Sequence, residues 1–128
     1  MSEVIAREVA EAEVQGWCDR FDVTLDPAAR EKIVRALGAG RLTLDEGKEE
    51  FTYRLRKPIT LENGQTLEKL VVHEPTTGQS RDANKAGGND FDASLRLLSY
   101  VTGQPLGVLD RVGSKDAQAL SSLFLFFG

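Results

Sequence analysis

Asp90 and Asp92 flank Phe91, and two carboxylates held close together can divide acid and base work. They also open a run with helical periodicity, where the helix dipole favours negative charge. They are read as helix-start residues. His73 is the single histidine and sits beside Glu74. No Ser or Cys nucleophile is tied to it by a motif, so it is read as structural or solvent-facing. Cys18 follows Trp17 and reads as a packed thiol. One cysteine leaves no internal disulfide and no multi-cysteine zinc site. Gly87-Gly88 carries neither the Walker nor the dinucleotide spacing and reads as a hinge or turn. These residues predict no catalytic centre, no cofactor and no metal.

Two other groups of residues suit binding. Arg54, Arg56 and Lys57, with Lys69, can form a basic strip on one face of a hairpin. Such a strip meets phosphate or an acidic protein segment, or serves as a solvated face that discourages edge pairing. The second group is the apolar ending LFLFF. Ala117, Leu120, Leu123, Phe124 and Phe127 fall on one helical face. Phe124 and Phe126 lie about 200° apart on a helix, so the aromatics point to more than one side. This face either closes the core or meets another chain.

The elements that position these groups follow from periodicity. Phe51 to Pro75 reads as two strands around Asn63-Gly64, a pair suited to a type I′ turn. Phe51, Tyr53 and Leu55 alternate with Thr52, Arg54 and Arg56, which gives one apolar face. A two-residue loop pairs Leu55 with Val72 and Lys57 with Leu70; a three-residue loop pairs Leu61 with Leu67. Both registers stay open. Pro58 lacks an N–H, so the strand lies at an edge there or breaks.

Upstream, Ser2 to Phe21 predicts a helix with Ile5, Val9, Ala12 and Gly16 on a thin stripe, extended by Trp17 and Phe21. That stripe docks loosely or against a partner. Asp26-Pro27 starts a second helix with Ile33, Val34 and Leu37 inward. Arg41–Leu44 is a third-strand candidate. Downstream, the turn-rich stretch Thr76–Gly88 predicts a long loop. Asn89 or Asp90 caps a helix with Phe91, Leu95, Leu98 and Val101 on one stripe, and Gly103 ends it. Leu106–Val112 is a short turn with Leu109 inward, and Ser114 caps the last helix. The fold class is α+β: N-terminal helices, a central β-hairpin or three-stranded antiparallel meander, and C-terminal helices packed on it.

The chain has 128 residues, 41% apolar and 28% charged, which suits one globular domain with a real core. Net charge is −4, against a nucleic-acid partner. Residues 1–50 carry 12 acids and 7 bases; residues 51–128 carry 8 and 9. No signal peptide is visible, and the terminal apolar run is shorter than the ~20 residues a membrane span requires. A reducing, cytoplasmic compartment is expected.

The run RLRKPITLENGQTLEKLVVHEPTTGQ resembles the opening of phage tail assembly chaperones of Mu-like, contractile-tailed phages and prophages. The resemblance lies in Leu55, Lys57-Pro58, Ile59 to Leu61, Asn63-Gly64, Leu67 to Val72 and Glu74-Pro75. It continues through Leu95–Val101, Thr102-Gly103, Leu109, Asp116 and the Phe-rich end. It covers residues 50–128 and leaves 1–49 as a helical N-terminal extension.

The resemblance implies a non-enzymatic protein of the host cytoplasm that is absent from the finished virion. It implies binding of the long, helical, apolar tape-measure protein, kept soluble until the tube protein polymerises around it. Tail-tube protein and a second copy of the chain are further partners it allows. It also brings a longer, frameshifted form that some members make. The residues expected to bind the partner are Leu120, Leu123, Phe124 and Phe127, with Arg54 and Arg56. The rival readings are a structural tail component and a small regulatory or nucleic-acid-binding protein.

Overall fold

A computed structural model describes residues 5–127. The elements in order are α1 (Arg7–Phe21), α2 (Pro27–Gly38), β1 (Leu42–Asp45), β2 (Glu50–Thr60), β3 (Thr66–Val72), α3 (Thr77–Lys85), α4 (Asp90–Thr102), α5 (Leu106–Leu109) and α6 (Ser114–Leu123). A 3-10 turn, Phe124–Phe127, follows α6. The architecture is α+β, with helices on both sides of a central sheet in sequence, as the periodicity predicts. Residues 2–4 of the predicted first helix lie outside the described residues.

The sheet is an antiparallel meander in the order β1-β2-β3. Each strand is covered by a different helix: α2 packs on β1, α6 on β2 and α4 on β3. Phe51, Tyr53, Leu55, Leu70 and Val72 face those helices and are buried. Thr43, Arg54, Lys69 and Val71 face away and are exposed, the alternation of a sheet with one packed side.

The hairpin register is neither of the two expected pairings. Phe51 lies opposite Val72 and Tyr53 opposite Leu70, and beyond a register shift Ile59 lies opposite Leu67. Between Arg54 and Ile59 β2 has four residues where β3 has one, Glu68, so β2 carries a bulge three residues deep. Pro58 sits in that bulge and beyond the end of β1, so its missing N–H breaks no ladder. The loop is three residues, with Leu61 N–H donating to Gln65 O at 2.8 Å. Gly64 has φ +84°, but Asn63 is not left-handed, so the turn is not type I′. It is the longer form in which one left-handed residue closes the loop. The Asn63 side chain accepts from Gln65 N–H at 2.9 Å and fixes it.

Helix α1 buries Ala10, Val14, Trp17 and Cys18; of the expected stripe, Ile5, Trp17 and Phe21 pack on the core, while Val9, Ala12 and Gly16 are exposed. Val9 is 56% exposed. The anchor is Trp17, which fixes the phase of the helix: residues three, four and seven positions away from it turn inward with it. Its ring packs edge-on against Phe51 at 5.4 Å and Phe126 at 6.1 Å. Phe51 and Phe126 stack at 5.1 Å. The first helix, the central strand and the chain's end therefore meet in one aromatic cluster, and α1 docks firmly. Glu31 joins α1 to α2 by accepting from Arg7 at 2.5 Å and Arg35 at 2.7 Å.

Thr77–Lys85 is a helix where the composition predicts a loop. Thr76 and Gln79 form a capping box that satisfies both orphan donors. Asn89 and Asp92 form a second capping box at α4, and Gly103 closes α4 with φ +77°. Phe91 is 41% exposed and does not join the core stripe of α4, because it lies in the first turn, ahead of the packed part. The last helix is capped from Gly113 without a side-chain bond, so Ser114 is its first residue and not its cap.

Candidate functional site

Asp116 is the one charged residue buried among the described residues, with 1% exposure. It lies in the first turn of α6, which packs on β2. Its Oδ1 accepts from the Tyr53 hydroxyl at 2.7 Å. Its Oδ2 accepts from Arg56 N–H at 2.9 Å and Lys57 N–H at 3.4 Å. Those two amides are the donors that the β2 bulge takes out of the ladder. The carboxyl group thus replaces the missing strand partner of both amides. Arg111 adds a bond to Thr60 O at 2.7 Å further along β2. Burial, and then the hydrogen bond to Asp116, push the Tyr53 phenol well above its ordinary range; the nearby charges of Arg41 and Arg56 partly oppose this.

The bulge also re-aims Arg56. Strict alternation would place it beside Arg54 on the open face. Instead it lines a cleft of about 470 Å³. Lys32 and Arg35 of α2, Arg41 ahead of β1 and Lys115 of α6 line the same cleft, over Tyr53, Ala36, Ala39 and Ala119. Arg35 is tied to Glu31. Among the described residues, the side chains of Lys32, Arg41, Arg56 and Lys115 make no ion pair.

A second cleft, about 330 Å³, has a floor of Phe21, Val23, Phe126 and Phe127 and a rim of Asp22, Glu49 and Glu74. Asp22 and Glu49 are the two non-glycine residues with left-handed backbone, φ 55° and 54°, among the described residues. Arg20 pairs with Glu49 at 3.5 Å and bonds Glu46 O at 2.7 Å.

The expected binding residues separate. Leu120 and Leu123 are buried in the core at 1% exposure each. Phe124 and Phe127 are half-buried against it. The ending departs from α geometry. In a 3-10 turn residues i and i+3 eclipse, so Phe126 follows Leu123 inward, and Leu125 turns outward at 46% exposure. Arg54 lies across from Lys69 on the open face of the sheet, apart from the cleft that holds Arg56.

The acid–base candidates also separate. Asp92 closes the α4 capping box. His73 Nδ1 bonds the neighbouring Glu74 carbonyl at 3.0 Å. Cys18 is buried. Among the described residues no group of three His, Cys, Asp or Glu side chains is placed to hold a metal ion, and no helix is long and apolar enough to cross a membrane. Lys32, Arg35, Arg41 and Lys115 carry no local sequence signal, because separate elements bring them together. Asp116 was visible only as one position of a family pattern.

Fold and surface together describe a small α+β protein whose charged and aromatic side chains gather in two open clefts. Residues 52–128 match the family described as phage tail assembly chaperone proteins, E, or 41 or 14, and the chain belongs to that family. No curated protein and no solved structure matches it. The match begins inside β2, so β1, which pairs with that strand, lies outside it.

Proposed function

We propose that this chain is a non-enzymatic chaperone that binds the tape-measure protein in the host cytoplasm. It keeps that protein soluble during tail assembly and does not enter the finished virion. The observation that carries this reading is the family match across residues 52–128. The terminal aromatic surface supports it. Leu125 is exposed, Phe124 and Phe127 are half-exposed, and the aromatic cleft opens beside Phe127. A helix with an apolar stripe fits a surface of that kind, with aromatic anchors in a groove. Leu120 and Leu123 act in this reading from behind, by holding the anchors in place. Arg54 and Arg56 add basic contacts on other faces.

Co-expression with a tape-measure protein tests the reading. Wild type should raise the soluble yield of that protein. Phe124→Ser with Leu125→Ser should lower it while the variant's circular dichroism stays that of wild type. Equal yield from the folded variant would remove the terminal surface from the proposal. No soluble gain from wild type would remove the proposal itself.

A further inference from the structure

The basic cleft is a concentration of like charge that the fold does not need. Five cations surround it in a chain of net charge −4. Arg35 is matched by Glu31, and the buried Asp116 beneath the cleft offsets one more. The remaining positive charge is unmatched among the described residues. Like charges crowded at one mouth repel, and surface charge spread evenly would solubilise as well without that cost. The cations are also held in place by different elements: α2, the entry to β1, the β2 bulge and α6. The bulge matters most, because it brings Arg56 around from the open face. Its Arg56 and Lys57 amides donate to Asp116.

The floor selects the occupant. Ala36, Ala39 and Ala119 line it with methyl groups, beside the nearly buried Tyr53. A few side chains with short aliphatic stems and carboxylate tips fit such a floor and rim. The open cleft, about 470 Å³, has room for a few side chains of a peptide. A nucleic-acid duplex asks instead for a long basic stripe on a basic protein, and this chain is acidic.

We infer that the cleft formed by Lys32, Arg41, Arg56 and Lys115 is a docking site for an acidic peptide segment of a protein partner, read through paired Asp or Glu carboxylates. The inference rests on the reading of the chain as a chaperone for a protein partner, and it adds a second, electrostatic contact distant in character from the aromatic one. Carboxylates meeting Arg and Lys at such a mouth make charge-assisted bonds, and Arg offers two-pronged ones.

The test uses the full chain and a short fluorescent Glu-rich peptide, with its Gln-for-Glu counterpart, inorganic phosphate and a single-stranded oligonucleotide as competitors. The Glu peptide should bind, weaken as salt rises, and outlast the Gln peptide by on the order of tenfold in affinity. Lys32→Glu with Lys115→Glu should abolish that difference, and a Lys-rich peptide should then bind the variant better than wild type. A merely structural role would not produce that reversal. Equal binding of Glu and Gln peptides overturns the inference, as does unchanged Glu-peptide binding by the folded double variant. Stronger binding of the oligonucleotide overturns it in favour of nucleic acid. Displacement by phosphate at concentrations comparable to the peptide's overturns it in favour of a free anion. A double variant that loses the peptide yet fully solubilises the tape-measure protein leaves the proposed function standing and detaches the cleft from it. A wild type that binds the peptide but solubilises nothing does the reverse.

Discussion

Tyr53 and Asp116 lie 63 positions apart in the chain and share a buried hydrogen bond of 2.7 Å. That bond joins the central strand to the last helix at the point where the strand leaves its ladder. Asp116→Ala would leave the Tyr53 hydroxyl and the Arg56 and Lys57 amides without an acceptor. The expected loss is about 3 kcal/mol or more in urea unfolding. Tyr53→Phe should cost about 1 kcal/mol, and the double variant should cost less than the sum. Additive losses would show that the two groups do not act together.

Alkaline stability should report the same pair. Folding raises the Tyr53 pKa above its ordinary value near 10, first by burial and then through Asp116. Below about pH 10 the phenol keeps its proton in both states, and the contribution is fully present. Above that the unfolded chain releases the proton while the folded chain retains it. Stability is then lost at up to about 1.4 kcal/mol per pH unit as pH climbs toward the folded value. The wild-type and Tyr53→Phe stability curves, measured against pH, should converge in alkali. Parallel curves would contradict the assignment.

The terminal turn makes opposite predictions for neighbouring residues. Phe126 is 1% exposed and touches the rings of Trp17, Phe21 and Phe51. Phe126→Ala should cost about 3–5 kcal/mol. Leu125 is exposed, and Leu125→Ser should change stability by no more than about 0.5 kcal/mol. Thermal melts of the two variants test the inward place of Phe126 and the outward place of Leu125; equal losses would contradict it.

Gly64 closes the hairpin with φ +84° and open space around its Cβ position. Gly64→Val should therefore cost about 1 kcal/mol or more through backbone strain, without a clash. Gly64→Asn should recover much of that, since Asn tolerates this conformation. Equal losses for Val and Asn would place the cost elsewhere.

Much of this architecture was legible because its causes are local. Asp26-Pro27, Asn89 and Gly103 punctuate helices by chemistry within one turn, and each acts at the position its type predicts. The meander follows from alternation in Phe51–Leu55. What was not legible depends on distance. The bulge in β2 exists with Asp116 to satisfy it, and 60 residues separate Arg56 from that carboxylate. No local pattern announces such a pairing. The basic cleft draws on four separate parts of the chain, so its members look like ordinary surface charges one at a time. Helix α3 is a different case. The Thr76 and Gln79 capping box was present in the sequence, but the helix buries Ala83 alone, so no apolar stripe marked it.

That thin burial has a kinetic consequence. Helix α3 is held to α4 through Ala83 and through Arg96, whose guanidinium bonds Ala83 O at 2.7 Å and also reaches Gly87 O. One side chain of α4 thus ties down the last turn of α3 and the linker after it. A unit fastened so sparingly opens at a free energy below that of the global transition. Its amides should exchange with solvent as a group, ahead of those in β2 and α6. Arg96→Ala should speed that exchange while leaving the aromatic cluster's protection intact. The corner is thus expected to open and close on an intact core, and faster exchange of the α3 amides than of those in β2 and α6 is the measurement that would show it.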